Sequence, residues 1–189
     1  MKKTVWVIDD DDSIRWVLDK ALGQAGIPIK AFDSADEAMH LFPNELPLTV
    51  LSDIRMPGSS GLDFLQKIQT EFPQIPVIIM TAHSDLDSAV NSFELGAYEY
   101  LAKPFDIDEV VNVVQRAISS RSESDPEITN QITPSGEILG SAPAMQEVFK
   151  AIGRLSSSSF TVLINGESGS GKELVARALH THGPRKNEV

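Results

Sequence analysis

Five short apolar runs alternate with segments in which apolar residues recur at helical spacing, and this alternation constrains the fold more than any other feature. The runs lie at residues 5–8, 27–32, 49–52, 77–80 and 98–102, and the helical segments at about 14–22, 34–42, 62–68, 84–96 and 106–118. Runs without polar alternation are typical of strands that helices cover on both faces. The pattern therefore predicts an α/β fold with a doubly wound, five-stranded parallel sheet.

Charge is distributed unevenly along the chain. Residues 1–120 hold nine Lys and Arg against 19 Asp and Glu, whereas residues 121–189 hold seven against eight. An acidic surface repels nucleic acid and anionic lipid, and it favours a metal cation or a basic partner. Cysteine is absent, which excludes disulfides and thiolate chemistry, and the apolar runs are too short to span a bilayer. We expect a cytoplasmic protein that does not bind membranes.

Polar and charged side chains follow four of the predicted strands where each strand ends. They are Asp9, Asp10 and Asp11 after the first strand, Asp53 after the third, Thr81 after the fourth and Lys103 after the fifth. The carboxyl ends of parallel strands meet at one edge of a sheet, where α/β proteins place their functional residues. Clustered carboxylates repel each other, so this set favours a hard divalent cation with oxygen ligands, such as Mg²⁺.

These residue types suit phosphoryl transfer. A cation and an ammonium group neutralise the phosphoryl oxygens while a carboxylate attacks in line, and Asp53 is the candidate nucleophile. The alternative is that each acidic residue is a solvated loop charge, which is the usual role of such a residue taken singly. The occurrence of Asp, Asp, Thr and Lys together at four strand ends favours the site.

Beyond residue 120 the composition changes. Residues 121–136 are rich in serine and lack apolar periodicity, so they are predicted to be a linker. A helix is predicted at 143–155 and a strand at 160–165. The strand is followed by a loop of the pattern G-x-x-x-x-G-K, formed by Gly166, Glu167, Ser168, Gly169, Ser170, Gly171 and Lys172. Backbone N–H groups of such a loop bind phosphates, with Lys172 reaching the outer ones. A flexible glycine–serine turn is the alternative.

Four segments resemble the receiver domains of bacterial response regulators, and the resemblance covers about the first 118 residues. These segments are residues 7–15 (VIDDDDSIR), 52–58 (SDIRMPG), 80–83 (MTAH) and 103–105 (KPF). The resemblance implies a flavodoxin-like receiver domain at residues 1–120 with strand order 2-1-3-4-5.

The same resemblance implies a role for each matching residue. Asp53 is the phosphoacceptor, Asp10, Asp11, Asp53 and the carbonyl of Arg55 hold Mg²⁺, Lys103 binds a phosphoryl oxygen, and Thr81 and Tyr100 form a switch pair. The peptide between Lys103 and Pro104 is expected to be cis. A sensor histidine kinase of the NtrB type is the implied phosphoryl donor.

The glycine-rich loop departs from the general phosphate-loop pattern, because Glu173 stands where Ser or Thr is usual. With residues 138–145 it resembles the AAA+ ATPases that activate sigma-54 RNA polymerase. Residues 137–189 would then be the N-terminal part of such a domain, with ATP at the loop. A receiver joined to this domain indicates the nitrogen regulatory protein C group. Sigma-54 RNA polymerase, enhancer DNA, nitrogen-assimilation promoters and further copies of the chain are the implied partners.

Only 17 residues follow Lys172, and the second acidic ATPase motif, the arginine finger, the polymerase-contacting loop and the DNA-binding domain of that group are not among them. We expect the chain as given to accept phosphate at Asp53 without turning over ATP. Two other functions remain. A phosphatase of the haloacid dehalogenase type needs a second Asp two positions after the nucleophile, where Arg55 stands. The second alternative is a stand-alone receiver that signals only by binding, and the presence of residues 138–189 argues against it.

Overall fold

The computed structural model describes residues 4–82, 86–120, 143–156 and 158–186. These residues divide into two compact units, the first comprising 4–82 and 95–120 and the second 86–94, 143–156 and 158–186. The predicted linker at 121–136 and the predicted helix start at Ser84 lie outside the described residues. The receiver prediction placed residues 84–96 within one domain with 1–120, whereas residues 86–94 group with the second unit.

A five-stranded parallel sheet forms the centre of the first unit, in the order β2-β1-β3-β4-β5. The strands are β1 (Val5–Ile8), β2 (Ile29–Phe32), β3 (Val50–Asp53), β4 (Val77–Thr81) and β5 (Glu99–Ala102). The helices along the chain are α1 (Asp12–Gln24), α2 (Ala35–Met39), α3 (Gly61–Glu71), α4 (Leu86–Glu94), α5 (Ile107–Ser120), α6 (Pro143–Ser156) and α7 (Lys172–Thr181). The predicted doubly wound sheet and its strand order are confirmed.

Helices cover both faces of this sheet, which explains why its strands lack polar alternation. On one face, Leu18 and Leu22 of α1 and Val113 of α5 are buried against strand residues such as Val7. Burial of each such side chain contributes roughly 1.5–3 kcal/mol. On the other face, the ring of Trp6 lies 5.0 Å from that of Phe32 and 4.9 Å from that of Phe42, centroid to centroid. These two apolar clusters, one on each face, hold the strands in place, and with them the residues at the carboxyl edge of the sheet.

Side-chain caps set where the helices begin. Ser60 and Asp63 form a complete capping box at the start of α3. The cap of α5 is Asp106, whose carboxylate accepts hydrogen bonds from the N–H groups of Asp108 and Glu109. The cap of α2 is Ser34, whose hydroxyl accepts from the N–H of Glu37. This helix ends at Met39, three residues before the predicted end at Phe42.

The second unit contains α4, α6 and α7. Gly153 lets α6 approach α4 closely, because a Cβ at this position would lie 2.6 Å from the Phe93 ring. The predicted strand at 160–165 is wrong: in the described part of this unit these residues pair with no strand, and Phe160 and Leu163 are 75% and 82% exposed. A strand needs neighbours to accept its backbone hydrogen bonds, and this unit supplies none among the residues described.

Across the described ranges, no helix combines the length and the apolar character needed to cross a membrane.

Candidate functional site

The acidic turn after β1 is fixed by hydrogen bonds to its own backbone. Asp9 is fully buried, and its Oδ1 accepts from the N–H of Asp11 at 3.0 Å. The guanidinium of Arg15 donates to the carbonyl of Asp9 and to the carboxylate of Asp12. Asp11 itself accepts from the N–H of Ser13 at 2.8 Å and is the N-cap of α1. The i,i+3 spacing of Asp12 and Arg15 is a sequence signal for their ion pair, but the sequence offers no signal for the contact of Arg15 with the carbonyl of Asp9.

Three strand ends bring one lysine and two carboxylates together. Lys103 Nζ lies 2.6 Å from Asp9 Oδ2 and 2.8 Å from Asp53 Oδ1. Asp53 is the last residue of β3, and its Oδ2 accepts from the N–H of Arg55 at 3.1 Å. The N–H of Lys103 donates to the carbonyl of Thr81 at 2.7 Å, which continues the pairing of β5 with β4 past the last strand residue. The cluster predicted at the carboxyl edge of the sheet therefore forms around Asp9, Asp53 and Lys103.

Burial and charge act against each other in this cluster. Burial raises the pKa of the Asp9 carboxyl above its ordinary 3.8, although the hydrogen bond from Lys103 acts to lower it. Burial is the largest single influence on Lys103 and disfavours its ammonium, but the hydrogen bonds and the charges of Asp53 and Asp9 together raise its pKa above 10.5. Lys103 is therefore protonated at neutral pH, and its ammonium lies between the carboxyl groups of Asp9 and Asp53.

The donor set fits a hard divalent cation, because it contains only oxygen ligands and has more negative than positive charge. Asp10 is exposed beside the buried Asp9, and the predicted carbonyl ligand of Arg55 follows Asp53. Among the described residues, no three acidic or histidine side chains converge closely enough to hold a metal alone. Backbone carbonyls and water would have to complete the coordination.

One predicted metal ligand is placed differently from the expectation. Asp11 is exposed and caps α1, and the hydrogen bond from the backbone of Ser13 lowers the pKa of its carboxyl. Asp9, which the predicted ligand set omitted, occupies the buried position beside Lys103. The reason is local: the N–H of Asp9 bonds the carbonyl of Phe32, the last residue of β2, so Asp9 continues the strand pairing one residue past β1 while Asp11 caps α1.

The predicted switch pair lies on neighbouring strands. Thr81 is the last residue of β4 and is 2% exposed, whereas Tyr100 lies inside β5 and is fully buried. The register pairs Thr81 with Ala102 and Ile79 with Tyr100, so Tyr100 lies two residues further from the edge than Thr81 does. The peptide between Lys103 and Pro104 is cis, as the receiver resemblance implies.

The loop from β3 to α3, residues 54–60, folds back on Asp53. The N–H of Gly61 donates to the carbonyl of Ile54 at 2.9 Å. A Cβ on Gly61 would lie only 1.9 Å from the carbonyl oxygen of Asp53, so α3 can begin here only with glycine. This contact could not be predicted from the sequence, which does not reveal which backbone a glycine approaches.

The glycine-rich loop leads directly into α7. Gly169 and Gly171 adopt positive φ angles of 81° and 83°. The ammonium of Lys172 donates to the carbonyls of Gly166 and Glu167 at 2.8 and 2.5 Å. The N–H groups at the start of a helix, together with left-handed glycines, fit the phosphates of a nucleotide. Glu173 lies in the first turn of α7 and is exposed, Ser168 lies in the exposed loop, and Ser170 bonds the carbonyl of Glu167.

Two sequence families match different parts of the chain. The response regulator receiver domain matches residues 5–115, and the sigma-54 interaction domain matches residues 138–189. The chain is 56% identical to the DNA-binding transcriptional regulator NtrC of Escherichia coli strain K12, over 96% of this chain and 39% of that protein. With NtrC of Proteus hauseri the identity is 54%, over 97% of this chain and 39% of the relative. The chain thus spans about two fifths of the length of these curated relatives.

Solved structures agree with this assignment. The BeF₃-activated receiver domain of nitrogen regulatory protein C is 52% identical, with a TM-score of 0.57, over 65% of this chain and all of that one. NtrX from Brucella abortus in complex with ATP is 28% identical, with a TM-score of 0.60, over 99% of this chain and 42% of that one. By its matched domains, its sheet and these relatives, the chain belongs to the response regulator receiver family, in the NtrC-type arrangement of a receiver domain followed by part of a sigma-54 interaction domain.

Proposed function

We propose that Asp53 accepts a phosphoryl group from a sensor histidine kinase, and that its phosphorylation controls the activity of a longer regulator. The observation that supports this most strongly is the position of Lys103, whose Nζ lies 2.8 Å from Asp53 and 2.6 Å from Asp9. A carboxylate beside a partly buried ammonium at the carboxyl edge of a parallel sheet is suited to receive a phosphoryl group.

In this reaction an oxygen of Asp53 bonds to phosphorus as the bond between phosphorus and the imidazole nitrogen of the donor breaks. The imidazole leaves and takes up a proton from water. Lys103 is protonated and close enough to neutralise a phosphoryl oxygen, while the N–H of Arg55 holds the second oxygen of Asp53. Mg²⁺, held through Asp9, Asp10, Asp53 and the carbonyl of Arg55, would supply the remaining positive charge.

The phosphorylated state would be sensed at the strand ends next to Asp53. A phosphoryl group adds negative charge and acceptor oxygens, which the hydroxyl of Thr81 and the ammonium of Lys103 can meet. We propose that Thr81 and Tyr100 form the switch pair. Thr81 lies on β4, the strand next to the one that carries Asp53, and Tyr100 lies on β5, which pairs with β4.

For the longer protein, we propose two domains at residues 1–120 and 137–189, joined by a linker. The NtrC relatives support control of sigma-54-dependent transcription at nitrogen-assimilation promoters, with an NtrB-type kinase, sigma-54 RNA polymerase, enhancer DNA and self-association as partners. ATP would bind at residues 166–173, and its hydrolysis would belong to the longer protein. A bacterial regulator of this kind acts in the cytoplasm, where its DNA lies.

The test is Asp53→Asn. This variant should not be phosphorylated by acetyl phosphate in the presence of Mg²⁺, because the amide lacks the nucleophilic carboxylate. Phosphate-affinity electrophoresis measures the modification. Asp19→Asn, which removes the same charge from the exposed face of α1, should be phosphorylated like the parent chain. Equal modification of Asp53→Asn and the parent would refute the proposed acceptor.

A further inference from the structure

Helix α2 is tied to the loop that follows Asp53 by a single carboxylate. The hydroxyl of Ser59 donates to Asp36 Oδ1 at 2.6 Å, and the N–H of Ser59 donates to Asp36 Oδ2 at 3.3 Å. These two hydrogen bonds lower the pKa of Asp36, with the hydroxyl contributing most. Short hydrogen bonds to an ionised acceptor are stronger than those between neutral groups. Asp36 therefore holds both donor groups of one loop residue that lies 23 positions along the chain.

The loop also fits closely around this carboxylate. Gly58 has a φ of +85°, a conformation that favours glycine, and a Cβ there would lie 2.7 Å from Asp36 Oδ2. Gly58 and Ser59 together make the tip of the loop. Glycine and serine at these positions therefore allow α2 and the loop tip to touch through backbone, hydroxyl and carboxylate.

Arg55 lies between this tip and a second anchor of the loop. On the side nearer the sheet, the N–H of Ile54 donates to the carbonyl of Met80 at 3.0 Å, and the carbonyl of Ile54 accepts from Gly61 at 2.9 Å. Arg55 itself bonds Asp53 Oδ2 through its N–H. Without the contact to Asp36, the segment around Arg55 would keep its anchors at Ile54 and Asp53 but lose the one at the tip.

We propose that Asp36 is a positioning residue for the phosphoryl-acceptor site, which it serves by fixing the loop that carries the Arg55 carbonyl. The inference rests on the proposed function of Asp53, since the site is positioned for that reaction. The carboxylate of Asp36 bonds Ser59 rather than Asp53 or Lys103, so its effect passes through the loop. Loss of the contact should weaken Mg²⁺ binding and increase amide exchange in the loop, without changing the chemistry at Asp53.

The experiment compares the parent chain with Asp36→Ala, Asp36→Asn and Glu37→Ala. Glu37 is the matched control, because it is an exposed acidic residue in the same helical turn. Its backbone N–H donates to the capping Ser34, and this bond does not depend on the Glu37 side chain. Mg²⁺ alone is titrated calorimetrically, and the amide exchange of Arg55 and Ser59 is followed by NMR. Asp36→Ala should bind Mg²⁺ about fivefold more weakly, the factor that corresponds to one net hydrogen bond. Asp36→Asn keeps an acceptor for the hydroxyl of Ser59 and should restore part of the loss.

Phosphorylation by acetyl phosphate then separates positioning from chemistry. At limiting Mg²⁺ the Asp36→Ala chain should react about fivefold more slowly, and at saturating Mg²⁺ its rate should return to within about twofold of the parent rate. If Asp36→Ala bound Mg²⁺ as tightly as Glu37→Ala and its loop amides exchanged at the same rate, the positioning role of Asp36 would be overturned. Phosphorylation of Asp53→Asn would overturn the acceptor assignment instead, so the two failures are distinguishable.

Discussion

Gly61 sets the distance between the start of α3 and the backbone of Asp53. A methyl group here would lie 1.9 Å from the carbonyl oxygen of Asp53 and 3.0 Å from the Oγ of Ser52, and the overlap with Asp53 is with its backbone, which cannot move aside as a flexible side chain can. We therefore expect Gly61→Ala to lower the free energy of unfolding by about 1–3 kcal/mol, the cost of overpacking a tight site. Because the overlap falls on Asp53 itself, phosphorylation should also slow. Urea denaturation and an acetyl phosphate assay measure the two effects.

Gly23 provides the control for that substitution. It lies in α1 without a positive φ, and a methyl group there would have no neighbouring atom within 4 Å. Gly23→Ala should raise stability by about 0.5–1 kcal/mol, since alanine loses less backbone entropy in a helix. If both substitutions had the same effect, the close approach of Gly61 to Asp53 would not matter to the fold.

At this scale the sequence identifies residue types better than their partners. Asp53, Thr81 and Lys103 were predicted at strand ends and lie there, because strand ends follow from the apolar pattern. The choice among Asp9, Asp10 and Asp11 depends on the residue at which β1 ends and α1 is capped. A shift of one residue decides that choice, and the apolar pattern does not fix element ends so finely.

Helix α3 begins with a capping box whose carboxylate gives the fold a pH dependence. The hydroxyl and N–H of Ser60 donate to Asp63 Oδ2 at 2.6 and 3.1 Å and lower the pKa of Asp63 below its ordinary 3.8. Between the lowered pKa and 3.8 the unfolded chain binds more protons than the folded chain, so stability rises with pH in that window. The contribution is present above about pH 4 and is lost as the pH falls through the lowered pKa.

We expect Asp63→Asn to flatten the dependence of stability on pH below about pH 4, because an amide does not titrate. Urea denaturation of the parent and variant chains across this window measures the difference. Glu71→Gln removes a charge from the other end of the same helix and should keep the steeper dependence of the parent. A variant curve parallel to that of the parent would contradict the proposed role of the capping box.

Helices were predictable because they form their own backbone hydrogen bonds, and strands were predictable where neighbouring strands are present to pair with them. The five strands of the sheet and the helix α6 lie within a few residues of their predicted positions. The strand predicted at 160–165 has a suitable apolar sequence but, in the described part of its unit, no neighbouring strand to pair with. Apolar content alone therefore could not determine its structure.

The second unit exposes several large apolar side chains. Phe160 and Leu163 are 75% and 82% exposed, and Leu174 on α7 is 53% exposed. Exposed apolar surface binds apolar dyes such as anilinonaphthalene sulfonate. We expect the chain of 189 residues to enhance anilinonaphthalene sulfonate fluorescence, and the double substitution Phe160→Ser with Leu163→Ser to reduce the enhancement by about half or more.

Trp16 on α1 is the control for that measurement, because it is 63% exposed and belongs to the first unit. Trp16→Ser should leave most of the dye signal unchanged. A signal that disappeared with Trp16→Ser and persisted in the double variant would place the apolar surface in the first unit instead.

The hydrogen bond between Lys103 and Asp9 joins residues 94 positions apart in the chain. During translation at roughly 5–20 residues per second, the acidic turn would leave the ribosome several seconds before its lysine is made. Until then Asp9 and Asp53 lack the ammonium of Lys103, and the sheet lacks β5. If Asp53 is the phosphoryl acceptor as proposed, a nascent chain would lack the ammonium beside it until β5 and Lys103 have been synthesised, and phosphorylation would be expected only of chains with a complete sheet.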